Sequence, residues 1–184
     1  MPRAFLVYGP ESSGNRMLMD ILNKAGVDGA TGVAMPYVQK WDTGIPRAKA
    51  GAGDISWLHS LPHAGAWVDI HAQVKKAVHA GYQPIVLYMQ RNFIATVLSS
   101  LLRKSGGEWG DGIARYRKAF LHFAAHMNKL PSTEWYTVSY EELISEPRAL
   151  PRLLDLLGLP IVEWEFYDGN AQYYTPEFAT KPKE

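Results

Sequence analysis

The chain contains no cysteine, which excludes disulfides, thiolate zinc sites and cysteine nucleophiles and is compatible with a reducing compartment. It also lacks a charge excess. Lys and Arg total 19 against 18 Asp and Glu, a formal net charge of +1, which leaves no broad basic surface for nucleic acid or an anionic membrane. Long apolar runs are missing too. Met1 to Tyr8 carries one Arg and an apolar run of only about five residues before Gly9-Pro10, too short for a signal-peptide core or a membrane span. These absences predict a cytoplasmic protein with neither nucleic-acid nor membrane partners, and no repeat of solenoid period is present. What remains is an ordinary globular composition, 47% hydrophobic and 20% charged, in 184 residues. That is one domain, 1–184, able to bury its own core.

Apolar runs and helical spacings alternate along the chain. Phe5 to Tyr8 reads as a buried strand ended by Gly-Pro, and Met17, Leu18, Ile21, Leu22 and Ala25 then follow helical spacing up to Gly26. Ile55 to His59 predicts a second strand, and from Asp69 a helical face runs through Ile70, Val74, Ala77 and Val78 to a stop at Gly81. Ile85 to Met89 is a third strand. Helices are predicted over 93–103, 113–130 and 149–157, with a strand over 135–139 between the last two. This order predicts an α/β fold: a mostly parallel sheet, helices on both faces, and a ligand site at the carboxyl ends of the strands. Residues 26–53, rich in Gly, Ala and Pro, and residues 104–112, with four glycines, read as loops.

The first strand-to-helix connection, Gly9-Pro10-Glu11-Ser12-Ser13-Gly14-Asn15-Arg16, has the G-x-x-x-x-G spacing of a phosphate-binding loop. Its amides and helix dipole suit an anion. A magnesium-triphosphate loop would continue with Lys and then Ser or Thr, where this chain has Asn15 and Arg16, so a kinase or ATPase is disfavoured. The plain alternative is a Gly-rich turn with Ser13 as N-cap.

Here the chain begins to resemble the sulfotransferase family, whose 5'-phosphosulfate loop reads approximately Pro-Lys-Ser-Gly-Thr-Thr and needs no metal. Downstream, Gln90-Arg91-Asn92-Phe93 with Ser99 is similar to the family's Arg-Asn-Pro motif and the Ser eight residues after its Arg. A third match runs from Trp135 to Ser139 through Tyr140-Glu141-Glu142-Leu143 and Glu146-Pro147 to Leu154–Pro160. The resemblance implies a P-loop nucleotide-binding architecture and 3'-phosphoadenosine 5'-phosphosulfate (PAPS) as donor, with no metal. It places Ser12, Ser13, Gly14, Asn15 and Arg16 around the 5'-phosphosulfate, and Arg91 and Ser99 on the 3'-phosphate. Tyr140 falls beside the adenine if the resemblance holds there, or is simply a packing residue. A guanidinium at a strand end offers a bidentate fork for such a phosphate.

Sulfuryl transfer needs positive charge or N–H donors at the leaving oxygen and a base at the acceptor. The family's loop Lys is replaced by Ser12, and Arg16, one helical turn from Ser13, is the candidate substitute. For the base, Leu58-His59-Ser60-Leu61-Pro62-His63 is similar to the family's Lys-x-His-Leu-Pro segment, with Ser60 at the His position. His63, beyond the strand end, is preferred over His59, and either histidine is equally compatible with a structural role. His71, His79, His122 and His126 read as surface or packing residues. The acceptor is a small molecule or a carbohydrate, the latter favoured by Trp41 and Trp109 in the expected acceptor loops 26–53 and 104–112. The tail from Tyr167, or a partner subunit in a homo-oligomer, completes the acceptor lid. The competing reading is a catalytically inactive nucleotide-binding or interaction module that kept the fold and lost the loop Lys.

Overall fold

The computed structural model describes residues 1–29, 45, 47–62, 67–103 and 109–170. Its elements follow the order β1 (Arg3–Pro10), α1 (Asn15–Lys24), β2 (Asp28–Gly29), β3 (Ile55–Leu61), α2 (Ile70–His79), β4 (Gln83–Gln90), α3 (Phe93–Arg103), α4 (Trp109–Met127), β5 (Glu134–Ser139), α5 (Tyr140–Ser145) and α6 (Ala149–Leu156). The strands form one five-stranded sheet in the order β2-β3-β1-β4-β5, every pairing parallel.

Strand β1 lies in the middle, and its alternation assigns the two faces of the sheet. Phe5 and Val7 pack with Leu18, Ile21, Leu22, Leu150 and Leu154 from α1 and α6. Ala4, Leu6 and Tyr8 point the other way, into a core with Ile70, Val74, Ala119 and Phe123 from α2 and α4. Because every residue of β1 after Arg3 is buried, the strand reads as one continuous apolar run, as a central parallel strand should. The chain leaves β1 toward β3 on one side and reaches β4 on the other, so the strand order reverses beside the carboxyl end of β1. That reversal is where open α/β sheets place their ligands.

Two expectations are corrected. Residues 109–112 are helical, the start of α4, whereas four glycines in 104–112 argued for a loop. A Cβ at Gly112 would lie 2.6 Å from Val97 Cγ1, so the missing side chain lets α4 approach α3, and packing outweighs the roughly 1 kcal/mol propensity cost of glycine. Ser13 is not the N-cap of α1. Gly14 takes that position with φ +93°, in the left-handed region. Among the described residues, no helix is long and apolar enough to cross a membrane.

Of the histidines read as surface or packing residues, His79 is exposed at the end of α2, while His71, His122 and His126 sit at the seam between α2 and α4. His126 Nδ1 lies 3.4 Å from Asp69 Oδ1, its ring is 4.5 Å from that of His122, and His122 Nε2 donates to the Val68 carbonyl at 2.7 Å. Burial, then His122, holds His126 below the ordinary imidazole range against the pull of Asp69, with Lys129 and His71 acting in the same direction as His122. Just below pH 6.5 or so, the unfolded chain therefore takes up a proton that folded His126 resists, and stability is lost as pH falls through this window. Melting curves between pH 7 and 5 should show a shallower decline for His126→Gln than for the wild type. Parallel declines would remove His126 as the cause.

Candidate functional site

The loop after β1 is shaped by contacts that its sequence pattern does not reveal. The Ser13 hydroxyl, fully buried, donates to the Pro10 carbonyl at 2.7 Å and lies 3.1 Å from Asn15 Oδ1. Asn15 Nδ2 donates to the Gly9 and Pro10 carbonyls, both at 3.2 Å, and reaches Ser60 Oγ at 3.4 Å. Both side chains thus bind the loop's own backbone and brace its turn from within. Two glycines are required there for different reasons. A Cβ at Gly9 would sit 2.5 Å from Asn15 Oδ1 and 2.6 Å from the Met89 carbonyl, while at Gly14 it would meet Tyr140 Cδ2 at 2.7 Å, in addition to the strain of its positive φ. Ser12 also has positive φ, +69°, an arrangement that costs a non-glycine residue about 1–3 kcal/mol and is typical of ligand loops.

The start of α1 differs from that of its neighbours. Asp69 caps α2 by accepting from the Ala72 amide at 2.9 Å, and Ser139 caps α5 by accepting from the Glu142 amide at 3.2 Å. Helix α1 has no side-chain cap and no acidic residue in its first turn. Its N-terminus, at the carboxyl edge of the sheet, thus carries neither a side-chain cap nor a first-turn carboxylate, as is also true of α6. Arg16 is exposed in this first turn, where its charge acts on Asp20 one turn along.

Arg91 follows β4, the neighbour of β1, and is 8% exposed. Its Nη1 donates to the Ser12 carbonyl at 2.8 Å, its Nε donates to Asn170 Oδ1 at 2.7 Å, and its guanidinium carbon stands 4.7 Å above the Tyr140 ring. The predicted residues Arg91, Tyr140, Ser12 and Gly14 are thus in one contact group. The Tyr140 hydroxyl donates to the Tyr167 carbonyl at 3.0 Å and accepts from the Gly169 amide at 2.9 Å. Ser99 is buried on α3, 2% exposed. On the opposite side of the guanidinium's chain segment, Tyr116 from α4 donates to the Arg91 carbonyl at 3.2 Å; burial, then Glu141, raises the Tyr116 phenol above its ordinary range.

Three members of this group were not singled out from the sequence. Glu141 Oε1 accepts from the Asn92 amide at 2.7 Å and from Asn170 Nδ2 at 2.9 Å, and Asn170 is 4% exposed. Glu141 and Asn92 stand inside the quoted motifs, so their position was the available signal. Asn170 is about 80 residues from Arg91 in sequence, and no local pattern marks it. Of the two candidate bases, His63 lies outside the described residues, as does Trp41. His59 is 7% exposed, and its Nδ1 is 2.8 Å from the Ser60 carbonyl. A carbonyl only accepts, so Nδ1 carries the proton. Ser60, at the family's His position, instead faces the loop through Asn15.

A five-stranded parallel sheet, an uncapped helix start after the central strand and an Arg after its neighbour define an α/β protein of P-loop-like architecture. The family model described as "Sulfotransferase family" matches residues 83–164, from β4 to the segment beyond α6. The crystal structure of mouse sulfotransferase SULT7A1 complexed with PAP is similar to this chain with a TM-score of 0.54 and 17% identity, over 88% of this chain and 60% of its own. The sulfotransferase domain from the curacin biosynthetic pathway is similar with a TM-score of 0.54 and 13% identity, over 95% of this chain and 78% of its own. The family model matches less than half of the chain, and the two structures show a shared fold. The chain spans about 60% of the length of the mouse enzyme. No curated protein matches it in sequence.

Proposed function

We propose that this chain transfers a sulfuryl group from PAPS to a hydroxyl or amine on a small molecule or carbohydrate. The observation that carries the reading is the convergence of Arg91, Tyr140 and the uncapped start of α1 at the carboxyl edge of β1 and β4. In this reading Arg91 and Ser99 hold the 3'-phosphate, Tyr140 lies beside the adenine, and the loop 12–16 receives the 5'-phosphosulfate at the helix N-terminus. The donor's S–O bond to phosphate breaks as the acceptor's oxygen or nitrogen bonds to sulfur. The acceptor proton passes to a base, His63 first and His59 second, and adenosine 3',5'-bisphosphate leaves. Charge on the leaving oxygen is met by the amides at the start of α1, with Arg16 in place of the loop Lys. Ser13 and Asn15 contribute through the loop backbone they brace, since their side chains are spent inside the turn.

The inactive nucleotide-binding module is retained as the second reading because Ser12 stands where the family has its Lys. Both readings expect the same nucleotide. Adenosine 3',5'-bisphosphate without magnesium should raise stability by about 2.7 kcal/mol at about 100 times its dissociation constant. At this chain length that is roughly 2–4 °C in melting temperature per kcal/mol. ATP with magnesium should shift it far less, because the loop lacks the Lys and hydroxyl for a metal-bound triphosphate. Equal shifts would remove the donor assignment. Transfer of labelled sulfate from PAPS into an acceptor library separates the enzyme from the binding module.

A further inference from the structure

Residues 167–170 lie against the two side chains read above as the nucleotide anchors. The Tyr140 hydroxyl bonds the Tyr167 carbonyl and the Gly169 amide, and Asn170 Oδ1 takes the Arg91 Nε–H. Asn170 is held in turn by Glu141 through Nδ2 and by Asp168, whose Oδ1 accepts from the Asn170 amide at 2.8 Å. The backbone is packed closely enough that a Cβ on Gly169 would stand 3.0 Å from Tyr140 Oη and 3.2 Å from Arg91 Nη2.

This arrangement conflicts with a phosphate on Arg91. A guanidinium grips an oxyanion bidentately through one of two donor pairs, Nη1 with Nη2 or Nε with Nη2. Nη1 carries two N–H groups and gives one to the Ser12 carbonyl, whereas the single Nε–H is taken by Asn170, which closes the Nε–Nη2 fork. For a phosphate to use that fork, the Asn170 contact must open. Ser12 belongs to the loop that the central strand and α1 hold from both sides, whereas residues 167–170 follow the last helix and meet Arg91 and Tyr140 through the hydrogen bonds named above. A phosphate oxygen adds an ion-pair attraction that a neutral amide oxygen lacks, so the exchange at Nε favours the phosphate once it arrives.

We propose that Tyr167–Asn170 is a built-in latch that occupies Arg91 and is released when a nucleotide phosphate binds there. The proposal rests on the reading of Arg91 as a phosphate anchor. The apparent affinity of a site open only part of the time is its intrinsic affinity reduced by the open fraction, so weakening the latch tightens binding without any new contact to the ligand. The latch would thus couple nucleotide loading to the release of Tyr167–Asn170.

The test uses adenosine 3',5'-bisphosphate as probe and two variants that loosen the latch in different ways. Asn170→Ala removes the amide on Arg91, and Gly169→Ala adds a methyl against Tyr140 and Arg91 while deleting no polar group. Both should bind the bisphosphate about 2–10-fold more tightly by calorimetry, the span expected for release of one competing hydrogen bond. In the wild type, hydrogen exchange should show the amides of Gly169 and Asn170 losing protection when the bisphosphate is added. Unchanged or weaker binding in both variants, or protection that persists in the bound wild type, would overturn the latch while leaving the nucleotide reading intact. Absence of bisphosphate binding in all three proteins would overturn the nucleotide reading, and the latch with it.

Discussion

Arg91→Ala is expected to weaken adenosine 3',5'-bisphosphate binding at least about 30-fold, roughly 2 kcal/mol, because a charge-assisted contact disappears while the phosphate stays partly desolvated. The same substitution should lower stability. It leaves the Ser12 carbonyl, Asn170 Oδ1 and the face of Tyr140 without the guanidinium that now meets them, and each buried polar group left unsatisfied costs about 1–3 kcal/mol. The two losses are separable by measuring affinity by calorimetry well below the variant's own melting temperature. Arg91→Lys distinguishes them further. Lys keeps the charge but has no planar fork, so it should recover part of the affinity and little of the bracing of Ser12 and Asn170. Full affinity in Arg91→Ala would show that the resemblance of this segment to the family motif carries no phosphate contact.

The second large effect concerns turnover. His63→Ala should cut sulfuryl transfer by about 10²–10⁴ with bisphosphate affinity nearly unchanged, because a base touches the acceptor and not the nucleotide. His59→Ala should cost less. His59 is buried and holds its Nδ1 proton on the Ser60 carbonyl, so this nitrogen is the donor of a fixed contact and is not the one that would take a proton from an acceptor. The reverse ranking would move the role to His59. If both single variants and the double variant keep turnover within about tenfold of the wild type, histidine is the wrong residue type. Asp69 is a poor substitute, because its side chain already caps α2 and faces His126, and the Ala72 amide holds its carboxyl below the ordinary range. A wild type that binds bisphosphate and transfers no sulfate to any acceptor would favour the inactive module.

Local patterns were most legible where one side of an element is buried throughout its length. Helix α3 has the predicted bounds, 93–103, and the strands β1, β3, β4 and β5 each contain the predicted run, extended by one to a few residues. Burial demands apolar residues at a fixed period, and that demand is written into the chain. The turn after β1 at the carboxyl edge of the sheet was legible for a related reason: a strand-to-helix turn with G-x-x-x-x-G spacing has few alternative structures, and Arg91 follows a strand whose neighbour was foreseeable from alternation alone.

What the sequence did not show came partly from partners distant in the chain and partly from turn contacts that residue type alone does not reveal. Strand β2 is two residues long and exists only through its pairing with β3. Helix α5 was not foreseen as an element, though Ser139 supplies its cap. The start of α4 was hidden because glycine's helix penalty is local, whereas the contact between Gly112 and Val97 that offsets it is tertiary. The side chains of Ser13 and Asn15 turn inward to the Gly9 and Pro10 carbonyls, contacts that their residue types alone do not reveal. Amino-acid sequence by itself determined the alternation of strands and helices, the phosphate-loop spacing and the kinds of side chain available at the sheet edge, since each follows from short-range periodicity and residue chemistry. Only the tertiary structure decided which donors of Arg91 are engaged, and by what. Asn170, Glu141 and Ser12 come from three separate stretches of chain, and hydrogen bonds formed across such separations leave no periodic trace in any one of them.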